Sequence, residues 1–277
     1  MMNDSQTSYS VLMSVYYKEK ASCLRTAIES IFLQTHKTDD FVLVCDGPLD
    51  DSLYAVIEEM RIRFGNTFQV IQLEKNVGLG RALNIGMQHC RHEIIARMDS
   101  DDYALPQRCE KQLAVMNGND VDIVSASIQE YDSELEIPGV LRTIPESHEE
   151  IMRFAKKRNP FNHPCVMYRK SAVEAAGRYQ DFYLLEDYYL WIRMLMNGCK
   201  GRNIQEVLLK MRAGSEIYMR RAGLKYAMSQ CKLLCYMKRV GFIGLGQMMF
   251  SMVARCVIAV LPNRCRRLIY RLRLRDA

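Results

Sequence analysis

Three carboxylates stand within four residues at Asp99, Asp101 and Asp102, in the segment MDSDDY. Like charges this close repel one another, so the cluster is costly unless a cation neutralises it. Carboxylate oxygens are preferred ligands of Mg²⁺ and Mn²⁺, and these ions also bind substrate phosphates. The segment therefore predicts a divalent-metal site. The alternative interpretation is an acidic N-cap for a helix that begins near Pro106.

A second acidic pair, Glu186 and Asp187, opens the amphipathic segment LLEDYYLWIRML. Carboxylates in the first turn of a helix are favoured by the helix dipole, which is one explanation of the pair. The other explanation is a general base presented to a cleft. The residues alone leave both explanations open.

A glycine-rich loop, N-x-G-x-G, runs from Lys75 to Gly80 and leads into a predicted helix. Its glycines either let the backbone approach a ligand closely or serve only as a turn. The loop differs from the dinucleotide-binding and P-loop motifs, which disfavours dehydrogenases and P-loop NTPases. No G-x-S-x-G segment occurs, which argues against a serine hydrolase of that type.

These segments must be positioned by a fold in which strands and helices alternate. Short apolar runs predict strands over 9–15, 41–45, 68–73, 93–98, 121–128 and 206–211, and helical periodicity predicts helices over 22–34, 51–64, 79–90, 106–117, 147–157 and 186–197. This alternation predicts an α/β fold with a mostly parallel, twisted sheet covered by helices on both faces. Ligands bind such sheets beyond the carboxyl ends of the strands, where the polar segments above fall.

Charge divides the 277-residue chain into two predicted parts. Residues 215–277 hold 13 lysines and arginines against two acids, whereas residues 1–214 are net acidic. We therefore predict a catalytic domain over 1–214 and a basic tail over 215–277. The ten cysteines form no C-x-x-C pair and are predicted to be reduced, in a cytoplasmic protein.

The tail alternates apolar and basic residues. Residues 222–238 predict an amphipathic helix whose apolar face comprises Leu224, Ala227, Met228, Cys231, Leu234 and Cys235. The charge-free stretch 240–254 is short for a membrane span, and Arg255 follows it. We favour an anchor lying on an anionic membrane surface over one true span or a soluble helical cap. A nucleic-acid partner is disfavoured because the body is acidic and the tail carries few aromatic residues.

The order and spacing of these segments resemble bacterial family 2 glycosyltransferases. The resemblance covers about residues 10–212 and is carried by SVLMSVYYKE, LVCDGPLDD, KNVGLGRALNIG, IARMDSDDYALPQRCEKQ, NPFNHPCVMYRKS and LEDYYLWIRML. It is most similar to the members that build O-antigen or exopolysaccharide repeat units on a lipid carrier. The resemblance implies a GT-A fold, a UDP-sugar donor, a Mn²⁺ or Mg²⁺ ion at an Asp-x-Asp motif, and inversion at the anomeric carbon.

The resemblance also implies roles for individual residues. Asp99 and Asp101 match the metal motif, and Asp187 matches the catalytic base, with Glu186 beside it. The residues expected to bind the donor nucleotide are Val15, Tyr16, Glu19, Asp46, Lys75, Gly78, Asp99 and Ser100. The residues expected on the acceptor side are Asn162, His163, Trp191, Arg220 and Arg221. From the residues alone, His163 is either a loop histidine with satisfied hydrogen bonds or a ligand contact.

The function expected from this resemblance is transfer of a hexose, glucose or galactose, from a UDP-sugar to a lipid-linked acceptor such as GlcNAc-diphosphoundecaprenol. The product would be a β-linkage in O-antigen or polysaccharide biosynthesis, made at the cytoplasmic face of the bacterial inner membrane. Two alternatives are a nucleotidyltransferase acting on nucleotide sugars and a catalytically inert scaffold that binds sugar nucleotides or membranes.

Overall fold

A computed structural model describes residues 7–118, 120–132, 134–213 and 224–260, with side chains as far as residue 254. The strands are β1 Ser10–Val15, β2 Asp40–Cys45, β3 Phe68–Gln72, β4 Ile94–Asp99, β5 Tyr103–Ala104, β6 Ile123–Tyr131, β7 Pro138–Arg142, β8 Met167–Arg169 and β9 Gly201–Arg212. The helices are α1 Ala21–Phe32, α2 Asp51–Phe64, α3 Leu79–His89, α4 Arg108–Gly118, α5 His148–Phe154, α6 Lys170–Ala175, α7 Glu186–Met196, α8 Leu224–Arg239 and α9 Leu245–Val260.

One mixed, mostly parallel sheet joins the described strands in the order β3-β2-β1-β4-β8-β6-β9-β5, with β7 paired to β6. Strands β3, β2, β1 and β4 are parallel, as the alternation of strands and helices predicts. The short strand β8 runs antiparallel to both β4 and β6. Beyond it, β6 and β9 are parallel and β5 pairs antiparallel with β9. The predicted α/β sheet is thus confirmed in its first half and is mixed in its second.

The sheet separates two hydrophobic cores, because side chains of successive strand residues point to opposite faces. Helices α1, α2 and α4 cover the first core, which contains Leu24, Leu53 and Leu113. Helices α3, α5, α6 and α7 cover the second core, where Trp191 is among the largest buried side chains. Both faces are therefore covered, as two-sided apolar strands require.

Helix α8 packs on the second core by a face that overlaps the predicted apolar face only at Leu234. Leu233, Leu234 and Met237 are buried against the body. Of the predicted apolar face, Leu224 and Met228 are exposed. Leu234 is the one residue of the predicted apolar face that is fully buried, and Leu233 and Met237, which lie outside that face, complete the contact with the body.

Helix α9 follows α8 and leaves apolar side chains in solvent. Leu245, Met249, Phe250 and Val253 are all more than half exposed. Within the described residues, no helix combines the length and apolar character that crossing a membrane requires. Residues 261–277 of the predicted basic tail lie outside the described residues.

The cysteines with described side chains form no disulfide. Six of them are buried, Cys231 is half-buried and Cys235 is exposed. Burial raises the pKa of the Cys45 and Cys90 thiols to about 12, so both remain protonated at neutral pH. They act as small core residues.

Candidate active site at the carboxyl ends of the strands

The acidic cluster lies where β4 ends. Side-chain oxygens of Asp99, Asp101 and Asp102 all lie within 4.8 Å of one another. One carboxylate oxygen of Asp102, Oδ2, is buried without a hydrogen-bond partner, and its other oxygen accepts a hydrogen bond from the Arg212 main chain at 2.9 Å. Three oxygen donors with an unpaired buried acceptor fit a hard divalent cation. Helix α4 begins only at Arg108, beyond β5, so the N-cap alternative is wrong.

A buried arginine accompanies this cluster. Arg97 is 1% exposed and forms a two-pronged ion pair with Asp99, one bond of which measures 2.8 Å. The two residues are two apart on β4 and therefore point to the same face of the sheet. That face is the second core, which α7 covers. The pair fixes the orientation of the Asp99 carboxylate and offsets part of the cluster's negative charge.

A fourth carboxylate, Glu19, adjoins the cluster through Ser100, whose hydroxyl donates to it at 2.7 Å. Burial, followed by the charges of Asp99 and Glu19, raises the pKa of Asp101 to about 7. Burial and the charges of Asp101 and Asp99 likewise raise the pKa of Asp102 well above its usual range. This repulsion is what a bound cation relieves, so the electrostatics also fit a metal site.

The glycine loop after β3 is held by Asp46, which follows β2. The buried Asp46 carboxylate accepts hydrogen bonds from the main-chain N–H groups of Val77 at 2.7 Å and Gly78 at 3.1 Å. Gly78 has a φ of +89° and precedes α3, a conformation that favours glycine. Asp46 therefore stabilises the predicted nucleotide loop through hydrogen bonds to its main chain. Lys75, on the same loop, is exposed.

Gly47 forms the closest approach between these two loops, and we expect Gly47→Ala to lower the free energy of unfolding by about 2–3 kcal/mol. Its φ is +89°, and an added Cβ would lie 2.6 Å from the main-chain nitrogen of Asn76. Gly65 is the matched control, since its φ is +54° but nothing lies within 4 Å of an added Cβ. Gly65→Ala has the strain of a positive φ without the close contact, so it should cost less, about 1–2 kcal/mol. Urea unfolding of both variants measures the difference, and equal losses would contradict the contact.

The loop after β1 corrects one predicted nucleotide contact. The Val15 side chain is fully buried in the first core, and its carbonyl accepts a hydrogen bond from Asp46 N at 2.7 Å. It therefore supports the site without a side-chain surface for a ligand. Tyr16 and Glu19 are half-buried, and Tyr17 is 55% exposed.

The second acidic pair begins α7. The Asp187 carboxylate accepts a hydrogen bond from the Asn159 side chain at 2.6 Å. Glu186 packs against the start of α3, since a Cβ added to Gly80 would lie 3.8 Å from Glu186 Cγ. Burial raises the pKa of Glu186. The N-terminus of α7 thus meets the N-terminus of α3, at the edge of the sheet where the parallel strands end.

Tyr179 and His163 form a hydrogen-bonded pair on which the charge of Arg97 acts. His163 Nε2 is 2.9 Å from the Tyr179 hydroxyl oxygen, and burial with the charge of Arg97 lowers the pKa of His163 well below its usual value. Burial raises the pKa of Tyr179, and the charges of Arg97 and Asp187 both act on it. The explanation of His163 as a loop histidine with a satisfied hydrogen bond agrees with this geometry.

The other residues predicted on the acceptor side are placed differently. Trp191 is fully buried and packs edge-on against Phe161 and Tyr179, so its predicted acceptor contact is wrong. The Asn162 side chain donates to the Ala126 carbonyl at 2.9 Å and thereby fastens its loop to β6. Arg220 and Arg221 lie outside the described residues.

Comparison with known proteins assigns the chain to a group of enzymes. Residues 10–177 match the family model described as "Glycosyl transferase family 2". A UDP-Gal:alpha-D-GlcNAc-diphosphoundecaprenol beta-1,3-galactosyltransferase from Escherichia coli is 37% identical over 98% of both chains. The amylovoran biosynthesis glycosyltransferase AmsE from Erwinia amylovora is 39% identical over 95% of this chain and 97% of its own.

Solved structures of low sequence identity share the fold. Residues 1–349 of TarS from S. aureus, in complex with UDP-GlcNAc, superpose with a TM-score of 0.68 at 16% identity, over 90% of this chain and 72% of that one. The mannosyltransferase PcManGT from Pyrobaculum calidifontis, in complex with GDP-Man and Mn²⁺, gives 0.65 at 14% identity, over 93% and 77%. These likenesses support the GT-A-like α/β fold that the sequence predicts.

Proposed function

The chain belongs to glycosyl transferase family 2, among the enzymes of bacterial polysaccharide and O-antigen biosynthesis, and from this premise we propose that it is an inverting galactosyltransferase. The donor is UDP-galactose, with UDP-glucose as the second choice, and the acceptor is GlcNAc-diphosphoundecaprenol. The printed activity of the Escherichia coli relative, which matches over 98% of both chains, supports donor and acceptor. The observation that carries the proposal is the acidic cluster after β4 at the same edge of the sheet as the acidic start of α7.

Asp187 is proposed as the general base. Its carboxylate takes the proton of an acceptor hydroxyl as that oxygen bonds to the anomeric carbon of the donor. The bond from the anomeric carbon to the UDP oxygen breaks in the same step, so the configuration inverts and an α-linked donor yields a β-linked product. Asn159, which donates to Asp187, holds the carboxylate in place. Glu186 packs against the start of α3 and thereby positions the first turn of α7, which carries Asp187.

Asp99, Asp101 and Asp102 would hold Mn²⁺ or Mg²⁺, which when bound neutralises the charge that develops on the leaving diphosphate. Arg97 keeps Asp99 oriented toward that site. Glu19 and Ser100 lie beside the cluster, and Tyr16 precedes Glu19 in the loop after β1. All three are proposed to contact the nucleotide, while Asp46 holds the glycine loop that approaches it.

The tail is proposed to keep the enzyme at the cytoplasmic face of the inner membrane as a peripheral protein. The basic composition of residues 215–277 and the exposed apolar side chains of α9 support attraction to an anionic bilayer. We retain 1–214 as the catalytic unit and 215–277 as the membrane-associating unit. The burial of Leu233, Leu234 and Met237 makes α8 the joint between them.

A donor panel tests the proposal directly. Purified protein is incubated with Mn²⁺, a GlcNAc-diphospholipid and UDP-galactose, UDP-glucose, UDP-GlcNAc or GDP-mannose in separate reactions. We expect one hexose to be added from UDP-galactose, with a β-linkage by NMR of the product. Donor hydrolysis without transfer, or transfer only from GDP-mannose, would contradict it.

A further inference from the structure

An apolar groove of about 640 Å³ lies between α8 and the segment that carries α7. Its lining includes Phe182 and Tyr189 on one side and Leu224, Met228 and Cys231 on the other. Its volume falls within the range typical of small-molecule sites. Most of the apolar face that the sequence predicts for α8 thus forms one wall of a concave surface.

The groove reaches α7 one turn beyond the proposed catalytic end of that helix, because Tyr189 belongs to its lining. Glu186 and Tyr189 are three residues apart and lie on the same face of the helix. The centroid of the Tyr189 ring lies 4.6 Å from that of Phe182 and 4.8 Å from that of Tyr236 on α8. Contacts between aromatic rings therefore join the two sides of the groove. The Ser229 hydroxyl donates to the Tyr183 carbonyl at 2.8 Å and fastens α8 to this segment.

The charges of the groove select the kind of ligand it fits. Lys232 and Arg239 belong to its lining, and the described lining residues include no carboxylate. Both cations lie within one turn of Tyr236, while Leu224 and Met228 lie toward the other end of α8. A molecule that fits has an anionic head at the Tyr236 end and an apolar chain along Leu224 and Met228. A bilayer is too broad to enter a concave groove, and the convex apolar side chains of α9 offer it a separate contact.

We propose that this groove binds the first isoprenoid units of the lipid-linked acceptor, with Lys232 and Arg239 beside its diphosphate. The inference rests on the proposed function, because it places the lipid of that acceptor. It assigns acceptor recognition to α8 as well as to the sugar site. The groove supplies apolar contact area that a sugar diphosphate without a lipid cannot use.

The test compares two acceptors that share GlcNAc and diphosphate but end in a farnesyl or a methyl group. The groove variant is Leu224→Gln with Met228→Gln, at positions 76% and 53% exposed, so folding is preserved. Ile62→Gln on α2, 78% exposed and on the other face of the sheet, is the matched control. Thermal melting of each variant confirms the fold.

We expect the wild-type protein and Ile62→Gln to prefer the farnesyl acceptor by about tenfold or more in kcat/KM. The groove variant should lose most of this preference while using the methyl acceptor as the wild type does. A preference that survives in the groove variant would overturn the groove assignment and leave the proposed function intact.

Two further measurements separate the possible failures. If the wild type transfers sugar to neither acceptor, the proposed function fails, and fluorescence anisotropy of a labelled farnesyl diphosphate then decides on the groove. Weaker binding to the groove variant supports the proposal, and equal binding overturns it.

Co-sedimentation with phosphatidylglycerol vesicles is the last experiment. A groove variant that loses vesicle binding but keeps the farnesyl preference assigns the surface to the bilayer and overturns the proposal.

Discussion

Asp187→Asn is expected to lower kcat by about 10²–10⁴-fold, the usual contribution of a general base. Asparagine keeps the shape of the side chain and its contact with Asn159, but it cannot accept a proton from the sugar hydroxyl. Because Asp187 is not part of the acidic cluster, UDP affinity should stay within about twofold of wild type. Steady-state kinetics and UDP calorimetry on the same preparation measure both quantities.

A control variant separates this effect from a general loss of negative charge. Asp181→Asn removes an exposed carboxylate six residues earlier, whose partner is Arg81 on the surface. It should leave kcat unchanged. Wild-type turnover in Asp187→Asn would refute the assignment of the base, and a parallel loss of UDP affinity would move the residue to the donor site.

Asp101→Asn is expected to abolish the Mn²⁺-dependent part of UDP binding. Only two carboxylates of the cluster, Asp99 and Asp102, then remain to bind the cation. Asp99 is also paired with Arg97. Calorimetric titration of UDP with and without Mn²⁺ measures the loss. Asp120→Asn, at an exposed carboxylate paired with Lys200, is the control and should keep the metal dependence.

In the absence of metal, the same variant should be more stable to unfolding than the wild type. The pKa of Asp101 is raised to about 7 in the folded protein, above its unfolded value, so ionisation of Asp101 opposes folding. This penalty grows as the pH rises from the unfolded pKa toward 7 and is complete above it. Metal-free Asp101→Asn is therefore expected to unfold at a higher urea concentration than the wild type at pH 8. Lower stability at that pH would contradict the described electrostatics.

Strand ends could be located from the sequence because their chemistry is local. The run ending at Cys45 is continuous and apolar, the run ending at Met98 is apolar apart from Arg97, and the polar residues after both runs have no place in a two-sided core. Arg97 is a further signal in the sequence for the position of Asp99. A charged residue inside the run IIARMD requires a partner, and strand alternation points it to the same side as Asp99.

The misplaced residues depend on packing that no short segment reveals. The sequence predicts an amphipathic helix at α7. In the structure nearly all sides of this helix are buried, including Tyr188, Leu190, Trp191 and Ile192. Asp102 lies outside the Asp-x-Asp motif that the resemblance assigns to the metal, and its place in the cluster depends on the Arg212 main chain, 110 residues away. The Asn159–Asp187 contact likewise joins a loop to the first turn of α7, which only the folded chain brings together.

Strand β9 has a consequence for where the protein can be shortened. The family match ends at residue 177, yet β9 lies inside the sheet between β6 and β5, and Arg212 at its end holds Asp102 in position. A chain trimmed to the matched region would lose an inner strand and would expose the open edges of two neighbours to aggregation. The smallest truncated form that keeps the metal ligands in register extends at least through Arg212.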